Sequence, residues 1–314
     1  MSTPPPDARA TRRSIRLMVL AMASFIVNDA LVKVASQTLP TGQLILVRGL
    51  MATALVLVVM RVGGTPLRPA GLVRGWVAAR AAIDALATLM FLVSLFHLPL
   101  ANATAINMAT PLVVTLLAIF TLGERVGARR WLAIGAGFAG VLMVIQPGQQ
   151  GFNGYAWLCL GGTLVNAVRD TITRRIAPDV PSITVTLATS MAVTLLAGAL
   201  AAGQHWAPMG LREWGLLAAA AVFLAAGYQL IIRATRSGEL SVVAPFRYSG
   251  LLMAVLIGWV VWGDVPNLLA WAGIALLVTA GWYLMRAGQA PQGHPPQARA
   301  QVQAQERGGA RPPR

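Results

Sequence analysis

The sequence predicts an all-α membrane protein of ten transmembrane helices, built as two five-helix repeats of opposite topology. Three observations carry that expectation. The 314 residues are 56% hydrophobic and only 11% charged, with a mean hydropathy of +0.66, well outside the balance of soluble domains. Ten apolar runs of spanning length alternate with short polar connections. Landmarks of the first half also recur in the second at a nearly constant offset.

Taken in order, the runs fall at about 17–35, 43–60, 76–96, 101–121, 130–146, 154–173, 182–202, 213–232, 241–262 and 268–285. The first follows Arg9, Arg12, Arg13 and Arg16 like the start of a signal peptide. Its length, its internal Asp29 and Lys33 and its lack of a small-residue cleavage site identify it as a retained helix. Arginines set the orientation. Those of the N-terminal tail (1–15), of 61–74, 125–130, 174–175 and 233–236, and of the tail from Arg286 onward all fall on one side, while the opposite loops contain only Arg212. The positive-inside bias makes the arginine-rich side cytoplasmic, with both termini inside. Residues 287–314, rich in Gln, Pro, Gly and Arg, read as a disordered tail. Tryptophans near the ends of the runs, such as Trp76, Trp131, Trp214 and Trp271, fit the headgroup boundary.

The repeats are 16–147 and 154–286. Gly123-Glu124 recurs as Gly263-Asp264, and Trp131-x-x-Ile134 as Trp271-x-x-Ile274, both shifted by 140; Asp29-x-x-x-Lys33 recurs as Asp170-x-x-x-Arg174, shifted by 141. Because five is odd, the second unit enters the membrane from the other side. Such inverted repeats place a binding site near the bilayer midplane between them.

Intramembrane ions are the candidate site residues. Arg247 is the only charge between Leu240 and Gly263, and it stands beside Pro245, Tyr248 and Ser249. Roughly 2.5–3.5 kcal/mol opposes an arginine at a helix centre, so it needs a partner, water or a task. The alternative is that Arg247 snorkels to the nearby surface. Asn107, Thr110 and Pro111 form the matching polar notch of the first repeat, with Asn107 at the position of Arg247. Arg247, Tyr248, Asn107, Arg48 and Arg80 are therefore expected to face a substrate carrying an anionic or strongly accepting group.

Asp29, Lys33, Asp84 and Asp170 are expected to balance charge or take up protons. The i,i+4 spacings Asp29/Lys33, Arg80/Asp84 and Asp170/Arg174 allow compensation on one helix face, and Arg48 lies at a depth to pair with Asp29. Asn166, Thr186, Thr189, Ser190, Tyr228 and Gln229 are expected to pack helices rather than touch a ligand. Gly135, Gly137 and Gly140 make one thin helix face for close packing, with a second copy of the chain as one partner it would suit. Asp264 is placed to cap the following helix, and Glu124 to pair with Arg125 or Arg129.

Other functions are disfavoured. A single cysteine, Cys159, excludes an internal disulfide, and three scattered histidines do not form a metal site. No cofactor is expected. The net charge of +15 lies in membrane-flanking arginines and does not require nucleic acid. A membrane enzyme would need a nucleophile with a base or clustered carboxylates, and neither GxSxG nor HExxH occurs. No phosphate-binding loop of the GxxxxGK[ST] type appears, so energy should come from a solute or proton gradient.

The stretch ATAINMATPLVVTLLAIFTLGERVGARRWLAIGAGFAGVLMVIQPG resembles the end of the first EamA unit of the drug/metabolite transporter superfamily, and VVAPFRYSGLLMAVLIGWVVWGD its second-unit partner. With NDALVK at 28–33 and RDTITR at 169–174, the likeness covers roughly 16–286. It implies ten helices, cytoplasmic termini and a bacterial inner-membrane secondary carrier. Asn-Asp-x-x-x-Lys in helix one and Ala-Pro-Phe-Arg-Tyr in helix nine are similar to the branch with bacterial S-adenosylmethionine and riboflavin carriers, so a riboflavin-like vitamin or S-adenosylmethionine is the favoured solute. Amino-acid or drug efflux is the alternative. Asp264 stands where the family usually has glutamate.

Overall fold

The structure is a computed structural model that describes residues 8–66, 69–122, 127–147, 153–173, 175–177, 179–237 and 243–287. Glu124, Arg125, Arg174 and the C-terminal tail beyond 287 lie outside the described residues. Within them every element is helical: α1 (Ala8–Ala35), α2 (Thr41–Val62), the single turn α3 (Pro69–Leu72), α4 (Gly75–His97), α5 (Leu100–Asn107), α6 (Thr110–Leu122), α7 (Ala128–Ile145), α8 (Tyr155–Thr173), α9 (Ser182–Ala201), α10 (Leu211–Ser237), a 3-10 turn over Ala244–Tyr248, α11 (Ser249–Trp262) and α12 (Leu268–Ala287). Seven stretches have the length and composition to cross a membrane: Arg12–Ala35, Thr41–Val62, Gly75–His97, Leu100–Phe120, Ala128–Ile145, Ser182–Ala201 and Leu211–Ala234. Phe246–Trp262 and Leu268–Leu284 are shorter apolar helices. α8, which carries Asn166, Arg169 and Asp170, falls outside both groups.

Local chemistry sets the helix ends. Pro40, Pro99 and Pro181 stand at the N-caps of α2, α5 and α9 with φ between −61° and −52°, where a fixed φ and a missing N–H cost the helix nothing. α11 stops at Gly263, whose φ of 72° suits a residue without Cβ. Asn267, not Asp264, caps α12, its Oδ1 accepting from the Ala270 amide at 2.9 Å. Asp264 sits too close behind the α11 turn, where its own amide donates to Gly258 O.

The helices of the two halves interleave. α1 packs on α10 as α8 packs on α4; α1 on α11 as α8 on α6; α2 on α10 as α9 on α4; and α2–α9, α5–α11 and α7–α12 each pair an element with its own counterpart. This is the pattern a two-fold axis relating the halves would produce. Small residues bring the backbones together. A Cβ on Gly140 of α7 would lie 2.6 Å from Gly273 O of α12, and one on Gly273 would lie 2.6 Å from Gly140 O. Gly49 of α2 abuts Thr194 of α9, beside which Thr53 bonds Ser190 at 2.6 Å. The Gly135/137/140 face is therefore mostly internal: Gly137 abuts Leu112 and Gly140 abuts Gly273, while only Gly135 meets open space.

Contacts define two ends of the bundle. At one, Gln43 exchanges hydrogen bonds with Ala207 at 2.8 Å, Asn153 donates to His97 O at 2.8 Å, and Gln146 pairs with Asn267 at 2.7 and 2.9 Å. At the other, Arg74 meets Asp179 at 3.6 Å and the Arg175 guanidinium lies over the Trp76 ring at 5.0 Å. The first is called here the loop-sealed end, the second the arginine end.

Candidate functional site

A cavity of about 730 Å³ opens between the halves. Helices α1, α2, α4, α8, α9 and α10 line it together with both interrupted segments, α5/α6 and the Ala244–Tyr248 turn. Those interruptions follow from sequence. Pro111 has no N–H for the carbonyl four residues back, that of Asn107. The Thr110 hydroxyl takes over at 2.6 Å, and the helix breaks at Met108 and Ala109. In the second half Pro245 opens a 3-10 turn in which Arg247 and Tyr248 precede α11.

Arg247 apart, the charged residues of the cavity wall form two groups, the first balanced by Arg80 from behind the wall. In the first, Asp84 of α4, only 6% exposed, receives Arg169 of α8 at 2.8 Å and Arg80 at 3.3 Å, and Arg169 reaches on to Asp170 at 2.8 Å. That makes two guanidinium groups and two carboxylates. Arg80 also donates to Thr173 at 2.9 Å and Thr189 at 2.7 Å, which holds it behind the wall, outside the cavity lining. In the second group, Asn28 Nδ2 donates to Asp29 Oδ1 at 2.8 Å while Arg48 Nη2 donates to Asn28 Oδ1 at 3.2 Å. Asp29 and Arg48 therefore meet through an amide rather than directly.

One expected partnership departs from the spacing rule. Lys33 does not turn to Asp29. Its long stem runs to the end of α4, where Nζ donates to Leu95 O at 2.9 Å and to Leu98 O, with the Trp262 ring 5.5 Å away. Helix-terminal carbonyls carry partial negative charge and outcompete a one-turn neighbour already hydrogen-bonded to Asn28. Lys33 therefore lies outside the cavity lining. Asp170 is held by its sequence neighbour Arg169, and the expected partner Arg174 lies outside the described residues.

Arg247 lines the cavity, is exposed to it, and has no ion pair among the described residues. Beside it Tyr248 packs so tightly on Gly281 that a Cβ there would overlap the phenol oxygen. Tyr248 Oη and Arg48 Nε are both buried with no hydrogen-bond partner among the described residues, an arrangement that costs free energy unless something supplies the bond. Asn107 Oδ1 accepts from Asn166 Nδ2 at 3.2 Å. The cavity thus gathers Asp29, Arg48, Asp84, Asn107, Asp170, Arg247 and Tyr248, and leaves out Arg80 and Lys33.

Sequence reasoning missed Arg169, the cation shared by Asp84 and Asp170. The offset of 141 places it opposite Asn28, so the Asn28-Asp29 pair recurs as Arg169-Asp170; unlike residue types hid the match. Asn166, Thr186, Thr189, Ser190 and Tyr228, expected to be helix glue, also line the cavity, whereas Gln229 does not.

Comparison with known proteins gives this geometry its context. The model of the EamA-like transporter family matches twice, at residues 12–146 and 153–286. The chain is 31% identical to the pseudopaline exporter CntI of Pseudomonas aeruginosa, over 86% of this chain and 94% of that one. It is 29% identical to a riboflavin transporter of Rhizobium johnstonii (66% of this chain, 68% of that one) and 24% identical to an S-adenosylmethionine uptake transporter of Rickettsia bellii (60% and 64%). A protein of known crystal structure, 17% identical, has the same fold, with a TM-score of 0.59 over 88% of this chain and 99% of that one. Two family units, each carrying one interrupted segment into a shared ionic cavity, lead to one conclusion: the chain belongs to the EamA-like transporter family of the drug/metabolite transporter superfamily, and is a multi-pass membrane transporter of a small metabolite, not an enzyme.

Proposed function

We propose that this transporter is a bacterial inner-membrane secondary carrier with ten crossings, two inverted five-helix repeats and both termini in the cytoplasm, working by alternating access. The two-fold pattern of helix contacts supports the inverted repeats, and the arginine-rich connections support the orientation. The cavity between the halves is the solute site, with Arg247, Tyr248, Asn107 and Arg48 facing the solute. Arg80 serves that site from behind, through Asp84.

One observation narrows the solute. The other cavity ions sit in internally balanced groups, so Arg247 is the charge left for a ligand to match. A solute bringing an anionic group, with acceptors for Tyr248 Oη and Arg48 Nε, completes the site. The carboxylate of S-adenosylmethionine can pair with Arg247 as uncharged riboflavin cannot, and its ammonium and sulfonium, which make it a net monocation, would have to face the carboxylates of Asp29 and Asp170 in the same cavity. A second reading, export of a small anionic metabolite, is favoured by the relative matched over 94% of its length, which is an exporter. Asp84 and Asp170 are held in ion pairs, so any proton coupling falls on Asp29, which accepts only a neutral amide among the described residues.

Counterflow into liposomes containing the purified protein tests this. Labelled S-adenosylmethionine, amino acids and riboflavin should separate by charge, with the carboxylate-bearing solutes exchanging faster. Flux of riboflavin alone would overturn the role given to Arg247, and no flux for any solute would count against the carrier itself.

A further inference from the structure

A second, smaller cavity of about 300 Å³ lies at the loop-sealed end, walled in part by Leu98, Asn102, Ile106, Gln146 and Asp264. What separates it from the solute chamber is α5. Ala101, Asn102 and Ile106 face the small cavity, while Thr104 and Asn107 face the chamber. At eight residues, α5 is a partition about 12 Å long.

This partition is hinged at one end and pinned at the other. The hinge is the Met108–Ala109 break, where the Asn107 carbonyl is bonded by a hydroxyl and not by an amide. The pin is at the α4–α5 corner, where Lys33 donates to the carbonyls of Leu95 and Leu98, immediately before the Pro99 N-cap. Lys33 is 8% exposed, and the Trp262 ring of α11 covers its head group. It therefore ties α1, the α4–α5 corner and the end of α11 at one point. Asn153 adds a neutral bond to His97 O at the same corner. The buried ammonium bonds two carbonyls and feels the Asp264 carboxylate in the wall of the small cavity, a strong contact that breaks as a unit.

We propose that Lys33 is the latch of the loop-sealed end: its release lets α5 tilt about the Met108–Ala109 break and joins the small cavity to the chamber. This assigns Lys33 a positioning role in the transport cycle, and it rests on the alternating-access reading.

The chain contains its own reporter. Cys159, the only cysteine, is fully buried under α5, with its Sγ 3.7 Å from Ala103 O. Tilting α5 uncovers it. In nanodiscs, a hydrophilic maleimide should label Cys159 slowly in the wild type. In Lys33→Met the rate should rise about tenfold or more, the factor expected for losing one charge-assisted hydrogen bond. Lys33→Arg, which keeps donors, should restore protection.

A loosened bundle is distinguished by a second thiol. Thr186→Cys, in the chamber wall, should label more slowly when Lys33→Met is added, because opening one end closes the other; faster labelling of both thiols, or an unchanged Cys159 rate, overturns the latch. If Lys33→Met does not fold, Pro111→Ala decides. Restoring the amide stiffens the hinge and should lower the wild-type Cys159 rate several-fold, and an unchanged rate overturns the proposal. These readouts need no solute, so they fail separately from the counterflow test.

Discussion

The two interrupted segments occupy equivalent places in the two repeats and differ in two respects. In the first half, α5 is a regular helix up to a single break, and the polar groups on either side of it, Asn107 and Thr110, are neutral and hydrogen-bonded, to Asn166 and to the Asn107 carbonyl. In the second half the corresponding stretch is a 3-10 turn over Ala244–Tyr248, and it presents an unmatched guanidinium and an unsatisfied phenol. One scaffold thus carries the partition on one side and the binding surface we propose on the other. The difference teaches that duplication supplies the frame, while unlike residues at matched positions supply the asymmetry that recognition of an asymmetric solute requires.

Breaking the ionic wall between the segments should have the largest effect. Asp84→Asn leaves Arg169 with Asp170 alone and Arg80 with only the hydroxyls of Thr173 and Thr189, and loss of one partner from a buried ionic group costs about 3–5 kcal/mol. The expected outcome is a large fall in the thermal unfolding midpoint in detergent, with little folded protein recovered. Making the two segments alike in charge comes next. Arg247→Gln should keep fold and insertion but lose about 2 kcal/mol of solute interaction, roughly a 30-fold drop in counterflow. Normal kinetics would return Arg247 to a snorkelling role.

Displacing the phenol is a milder test. Gly281→Ala overlaps Tyr248 and should cost at least ~1 kcal/mol, seen as a lowered midpoint together with reduced flux. The smallest effect is expected in the first half. Asn107→Ala removes the bond from Asn166 and should change apparent solute affinity by about fivefold, or ~1 kcal/mol. An effect as large as that of Arg247→Gln would mean the two segments share binding equally.

Much of this was legible before any coordinates. Hydropathy located the helices because a bilayer demands long apolar runs, and Pro111 announced the break in the fourth run because its missing N–H acts locally. The Arg80–Asp84 contact followed from a one-turn spacing. What failed was the pairing of ions whose partner lies on another helix. Lys33 lies one turn from Asp29, yet its flexible stem reaches carbonyls on α4 that no local rule reveals. Arg169 escaped notice because its importance comes from Asp84, 85 positions earlier in the chain. Arg80 pointed inward as expected, but its bonds to Thr173 and Thr189 set it behind the cavity wall. Buried ions in membranes choose partners across helices, and sequence spacing records only partners along them.

The unmatched Arg247 has an electrical consequence. Counted with Arg80 behind the wall, the paired ions balance and Arg247 adds one positive charge to the vacant chamber, which a solute of net charge −1 would cancel. For such a solute voltage would act on the vacant carrier and not on the loaded one, and for a zwitterion or a cation on both. Each 100 mV, negative inside, biases a full unit charge by about 2.3 kcal/mol, less in proportion to the part of the field it crosses. On the proposed inner-membrane reading, an inside-negative potential would favour the vacant site facing the cytoplasm.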